Sequence, residues 1–396
     1  MKTFLKTHIN PHRLETNMTF LKKTAVAAAT ALLACTSAYA DITVGASLSL
    51  TGPGSGLGIP MSNGLKMWPA TIAGEKVRLV ILDDATDPTK GVQNARRLVS
   101  EDKVDVIVGS GVTPVAIAMS EVATESKTVQ LALSPIGLPP GKDPWSFRMP
   151  QSNGVMANAM VGHMAKHGIK TVGFLGYTDA YGEQWLQALL PLLDKAGIKL
   201  LGTERFARAD TSVTAQALKL VATNPDAMIV VASGSGAAMP QLGLVDRGFK
   251  GKVYQTHAAA SKDLMRVGGK AVEGTLVTSG PVVVAEQLPD SHPSKALGVK
   301  FNAAYEAIYG PGTRNQFGAH GYDTFLMLER VIPIALKKGK PGTPEFRAAL
   351  KDALESTPAL AVTHGVLDFT PTDHWGFRAD TGVVMKVVNG EWKLEP

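Results

Sequence analysis

Cysteine is almost missing from this chain: there is one, Cys35, in 396 residues. If the first 40 residues are removed on export, the remaining chain has no disulfide, no thiol nucleophile and no zinc–thiolate site. Charge of one sign is also lacking. The first 40 residues hold five Lys/Arg and one Glu, which leaves 35 basic against 33 acidic residues from Asp41 onward. No basic patch is interleaved with aromatics, so nucleic acid is excluded as a partner. Beyond the first 40 residues no apolar run reaches transmembrane length.

Several catalytic signatures are missing too. No stretch reads GxxxxGK[ST], HExxH, GxSxG or an EF-hand loop, and the GxGxxG pattern starting at Gly109 fails because Pro114 occupies the third glycine position. The expectation is a protein without catalytic residues, cofactor or metal. Asp83-Asp84 ends a strand and is read as a solvated pair beside a turn rather than an acid/base dyad. His163 and His167 are four apart on a helix, a spacing capable of metal binding. With no third ligand nearby in sequence they are read as a solvated helix face. Asp373-His374 lies in a Pro/Thr turn and is read as structural.

What is present begins with a leader. Met18 to Ala40 has Lys22-Lys23, an apolar stretch and small residues at Ala38 and Ala40, the pattern of a secretory signal peptide over residues 1–40. Cleavage after Ala40 would release a soluble periplasmic chain. The alternative is that "LLAC" acts as a lipoprotein box and Cys35 becomes a lipid anchor.

From Asp41 strands and helices alternate, which argues for parallel α/β sheets. "ITVGASLSL", "VRLVILDD", "VDVIVG" and "TVQLAL" are strands of a first half, with helices expected over Met61 to Ile72, from Pro88 to Ser100 and from Val115 to Ser126. The alternation restarts at Asn153, with strands "TVGFLGY", "IKLLGTERF", "AMIVVAS" and "KVYQT". Two long helices (Pro293 to Tyr309 and Phe317 to Lys338), a capped helix at Thr343 and short final strands complete the chain. The expected division is a first lobe of residues 41–152 plus 283–361 and a second of 153–282 plus 362–396.

The segment "VIVGSGVTP", residues 106–114, is a strand, a glycine turn and a helix start. Unpaired N–H groups and the positive end of the helix dipole make such a junction an anion site. Thr113 has two open roles there, helix N-cap and anion contact.

Four blocks together carry a resemblance: "ITVGASLSLTGPGSGLG", "LDDATDPTKGVQNARRLVSEDKVDVIVGS", "DAYGEQW" and "GGKAVEGTLVTSGP". In order and spacing the chain resembles the leucine/isoleucine/valine-binding type of periplasmic solute-binding protein, the extracytoplasmic component of an ABC importer. The resemblance implies two Rossmann-like doubly wound lobes joined by a three-strand hinge, a ligand in the cleft, a membrane permease as partner, a monomer and no catalysis. It places the ligand carboxylate on Thr113 and a second contact segment on "SPIGL", residues 134–138, with Ile136 and Gly137 as contacts and Leu138 in place of the usual threonine. Leu57 and Phe317 fall on wall positions, Tyr181 on the tyrosine that closes over ligand, and Ser233 where a further tyrosine is missing. His257 falls where leucine-type binders place a glutamate that pairs with the ligand ammonium.

A buried ammonium without a carboxylate partner costs several kcal/mol. The ligand expected is therefore a small carboxylate, aromatic or otherwise organic. The alternatives are a branched-chain or other amino acid, and a periplasmic sensor instead of a transport component.

Overall fold

The computed structural model describes residues 41–395. The expected leader and Cys35 lie outside the described residues. The first sheet contains β1 (Ile42–Leu48), β2 (Thr71–Ile72), β3 (Glu75–Asp83), β4 (Val106–Gly109), β5 (Val129–Ala132) and β6 (Ser146–Arg148), in the spatial order β2-β3-β1-β4-β5-β6. All pairings are parallel except β2 with β3. All seven residues of β1 are buried, as expected of a strand covered by helices on both faces.

Around this sheet lie α1 (Ser55–Lys66), α2 (Pro88–Ser100) and α3 (Thr113–Ser126). The Asp87 carboxylate caps α2 by accepting from the N–H groups of Thr89 and Lys90, with Pro88 in the first turn. The helix expected over Met61 to Ile72 begins six residues earlier, and Ile72 belongs to β2. Glycines that read as a turn are packing glycines instead: a Cβ on Gly58 would stand 2.1 Å from the Ser49 carbonyl oxygen. Pro60 sits inside the helix rather than before it.

The second lobe starts with α4 (Asn153–Lys166) and builds a parallel sheet from β7 (Thr171–Tyr177), β8 (Lys199–Phe206), β9 (Ala227–Val231), β10 (Lys252–Gln255) and β11 (Leu276–Ser279). Helices α5 (Ala180–Lys195), α6 (Thr214–Ala222), α7 (Ala238–Asp246) and α8 (Lys262–Gly268) connect these strands. In the tail, α9 (Lys295–Tyr309) packs on a 3-10 segment at Pro281–Gln287. That segment borders the second sheet, where Gln287 exchanges hydrogen bonds with Trp392 and Leu394.

The long α10 (Gln316–Ala335) and α11 (Pro344–Ser356) pack into the first lobe through Phe325, Leu328, Ile332, Phe346 and Leu350. A hairpin of β12 (Leu360–Val362) and β13 (Gly365–Leu367) precedes β14 (Val383–Val388) and β15 (Glu391–Glu395). These last two strands extend the second sheet antiparallel, in the order β15-β14-β11-β10-β9-β7-β8.

Between the sheets three segments meet. The Gln151 amide donates to the His364 carbonyl at 2.8 Å. Gly280 sits so close to both that a Cβ there would be 2.5 Å from the His364 ring and 2.8 Å from Gln151 Nε2. Only glycine permits this approach.

Candidate functional site

Each sheet changes direction beside its central strand, between β1 and β4 in the first lobe and between β7 and β9 in the second. Ligands of open α/β sheets bind beyond the strand carboxyl ends at such points. Here the two switch points face one another across a cavity with ≈ 330 Å³ of atom-free space, part of it open to solvent. The first lobe lines it with Leu57, Thr113, Ser134 and Phe317, and the second with Tyr181, Arg208, Ser233 and His257.

Thr113 is the first residue of α3, and the N-cap is Val112, in extended conformation and without a side-chain capping bond. The capping role open to Thr113 in the sequence is thus excluded. Its hydroxyl has no partner among the described residues, and neither does Gly111. The first-turn N–H groups of a helix have no intrahelical acceptor, so this corner offers donors to an incoming anion. The loop is held from below by Asp84. Its carboxylate accepts from the hydroxyls of Ser49 (2.5 Å) and Ser110 (2.8 Å) and from the Thr86 N–H (3.0 Å). Asp84 is fully buried, not solvated as its strand-end position implied, and burial pushes its carboxyl up against the pull of these bonds.

In the second lobe Arg208 follows β8. Its Nε donates to Asp179 Oδ2 at 2.5 Å, its Nη1 donates to Ser233 Oγ at 2.8 Å, and its guanidinium lies 4.2 Å from the Tyr177 ring centroid. Asp179 also caps α5 through the Tyr181 N–H. The cation is therefore fixed on three sides. Tyr181 donates its hydroxyl to Thr256 Oγ1 at 2.8 Å, so it presents its ring as a wall. Among the described residues no Asp or Glu lines the cavity.

Two histidines complete the wall. Burial, reinforced by His364, holds His257 down at about 3, and burial with the neighbouring histidines holds His320 far below the usual imidazole range. Both rings are neutral at physiological pH. Nδ1 of His257 and both nitrogens of His320 lack hydrogen-bond partners among the described residues. Behind the cavity His320 stacks on His364 at 4.1 Å, and His364 Nδ1 lies 2.8 Å from Asp323 Oδ2.

Of the residues singled out in the sequence, Leu57, Thr113, Tyr181, Ser233, His257 and Phe317 come together here. Ile136, Gly137 and Leu138 do not line the cavity. Ile136 is wholly buried, and its carbonyl accepts from Arg148 Nε. The Gly137 N–H donates to Gln184 Oε1 at 3.0 Å, and Gln184 Nε2 donates back to the Gly137 carbonyl at 3.1 Å, so this amide joins the lobes. Leu138 turns to an outer groove beside Ile117 and Pro139.

Arg208 and His320 were missed. Arg208 stands just beyond a strand carboxyl end, and His320 is three residues after Phe317 on one helix face, positions that topology flags but no motif marks. The His163/His167 reading also changes. His163 is buried, and Glu395 of β15 supplies the third group that the local sequence lacked. His374 is structural, stacked on Phe147 and paired with Glu355.

Two doubly wound lobes closing on a small cavity define a type I ligand-binding protein. The periplasmic binding protein family model matches residues 41–390, and the chain belongs to this family. Membership implies an extracytoplasmic location. Among the described residues no helix is long and apolar enough to cross a membrane.

The chain is 27% identical over 253 residues to the Leu/Ile/Val-binding protein homolog 3 of Brucella melitensis, covering 61% of this chain and 68% of that protein. An extracellular ligand-binding receptor from Rhodopseudomonas palustris HaA2 is 46% identical, with a TM-score of 0.88, over 90% of this chain and 100% of the other. A solute-binding protein of an ABC transporter from Rhodopseudomonas palustris BisB5, in complex with 3,4-dihydroxybenzoic acid, is similar in fold. It is 24% identical, with a TM-score of 0.72, over 89% of this chain and 95% of the other.

Proposed function

We propose that this protein is the extracytoplasmic solute-binding component of an ABC importer and takes a small organic carboxylate, aromatic above all, into the inter-lobe cavity without transforming it. The observation that carries the reading is a cavity wall that, among the described residues, has one fixed arginine, neutral histidines and no carboxylate. Arg208, the Thr113 hydroxyl and the first N–H groups of α3 converge on the ligand carboxylate. Leu57, Tyr181 and Phe317 pack its apolar body.

Charge-assisted hydrogen bonds contribute about 1.5–3 kcal/mol each, and the helix dipole adds roughly 0.3–2 kcal/mol. A micromolar complex, near −8 kcal/mol, is within reach. An amino acid would leave its ammonium without a counter-charge at His257, at a cost of several kcal/mol. In this reading the working unit is a monomer, and the permease reads the closed form.

The names of the Brucella relatives favour a second ligand class, branched-chain amino acids. Thermal shift separates the two. Ligand at a hundred times its dissociation constant stabilises by about 2.7 kcal/mol, several degrees here. Benzoate and hydroxybenzoates should raise Tm more than leucine, isoleucine or valine at equal concentration, and Arg208→Met should weaken the best acid on the order of tenfold to a hundredfold. Leucine giving the largest shift would overturn the acid reading.

A further inference from the structure

Away from the cleft, α4 and β15 bring together His163, His167 and Glu395, with one ligand atom from each lying within 4.8 Å of the others. We propose that this cluster is a binding site for a divalent transition-metal ion of the zinc, nickel or copper type, with two imidazoles and one carboxylate as ligands. His163 and His167 are one helical turn apart and their rings stack at 3.9 Å, so both project from the same face.

The hydrogen bonds settle which nitrogens are available. His167 Nδ1 lies 2.9 Å from the His163 carbonyl oxygen, which can only accept. The neutral ring therefore carries its proton on Nδ1 and leaves the Nε2 lone pair open. His163 Nδ1 lies 2.9 Å from the Tyr254 hydroxyl, which can accept or donate. When that nitrogen donates to Tyr254, the His163 Nε2 lone pair is open as well. A histidine ligand that gives its other N–H to a carbonyl or hydroxyl is the usual support around a protein-bound metal.

Among the described residues His163 Nε2 is buried and has no hydrogen-bond partner, and Glu395 Oε1 stands 4.0 Å from it. Lys386 Nζ stands 4.0 Å from the same oxygen, too far for a committed hydrogen bond. Zinc–ligand lengths near 2.1 Å require ligand atoms about 3.4 Å apart in a tetrahedron. Rotation of the exposed His167 and half-buried Glu395 side chains closes the difference. Gly162 and Gly382 keep the groove open above the cluster, which leaves room for water as a fourth ligand. Two imidazoles select zinc, nickel and copper over magnesium and calcium, which take oxygen ligands. A bound ion would tie the first helix of the second lobe to its last strand.

The test is isothermal titration of the exported, untagged protein with Zn²⁺, with Mg²⁺ as the contrasting ion. One Zn²⁺ per chain should bind, with no response to Mg²⁺. His167→Ala and Glu395→Gln should each weaken Zn²⁺ by about tenfold or more. Neither side chain carries core packing, so both variants should keep the melting temperature of the metal-free protein and its response to benzoate. Cu²⁺ bound to the wild type should show nitrogen hyperfine splitting that His167→Ala reduces. No Zn²⁺ binding, or binding of equal strength in the wild type and both variants, would overturn the site.

Discussion

Thr113→Val is the most direct test of the anion corner, because the structure separates two effects that the sequence leaves entangled. The substitution keeps the branched shape and removes one hydroxyl. Had Thr113 been the N-cap of α3, its loss would cost about 1 kcal/mol in the unliganded protein. The cap position belongs to Val112, and no side chain caps the helix. The hydroxyl has no partner among the described residues, so the empty protein should change by less than about 0.5 kcal/mol.

In the proposed reading the same hydroxyl donates to the ligand carboxylate, a bond worth roughly 1.5–3 kcal/mol. The dissociation constant of the best organic acid should therefore rise about tenfold to a hundredfold. Calorimetric titration reads the second number and urea unfolding without ligand reads the first. An unchanged affinity would refute the assignment of the carboxylate to this corner. A loss of about 1 kcal/mol without ligand would show that Thr113 supports the helix after all.

The reciprocal pair between Gln184 and Gly137 spans the lobes. At about 1 kcal/mol per hydrogen bond, Gln184→Ala should destabilise the closed form by roughly 1–2 kcal/mol and weaken ligand about five- to thirtyfold. Small-angle scattering should show a larger radius for the empty variant than for the empty wild type, and equal radii and affinities would place closure elsewhere. The depressed histidines set a pH dependence. His257 at about 3, His163 at about 4 and His320 stay neutral in the native chain, while in the unfolded chain each takes a proton below about 6.5. The unfolded state then binds more protons, so stability rises with pH in this window and is lost as pH falls from about 6.5 towards 4, by about 1.4 kcal/mol per pH unit per proton. Urea midpoints at pH 7.5 and 5.5 check this, and His257→Gln should make the slope shallower; a flat wild-type profile would contradict it.

Much of the architecture is legible in the sequence because it rests on local signals. Buried parallel strands such as Val106–Gly109 read as apolar runs, and Asp87-Pro88 announces a helix start in its own chemistry. The misplacement of α1 shows the limit. Gly58 has the composition of a turn, yet it serves a contact with Ser49 nine residues earlier, visible only after packing. The site shows the same division. Tyr181 sits in a block whose order carries the family pattern, Thr113 follows another by three residues, and both reach the cavity. Arg208 has no such block. Its meaning comes from Asp179 and Ser233, which lie 29 and 25 residues away in sequence.

Gly137 fails for a related reason. A glycine amide at a strand end is a reasonable anion donor until a side chain from the other lobe claims it, and Gln184 does. That exchange bears on how the cleft works. The first lobe turns Leu57, Thr113, Ser134 and Phe317 to the cavity and gives Gly137 of its second loop to the opposite lobe. The second lobe keeps Arg208 and gives up Gln184. His320 joins the two tasks, with one ring edge in the cavity and its face on His364, whose carbonyl and ring meet Gln151 and Gly280 between the sheets. Cavity wall, lobe contact and inter-sheet contact thus form one packed series in this arrangement of the lobes. A ligand that touches both lobes must favour that arrangement, because differential contact is the only means by which binding can shift a conformational equilibrium.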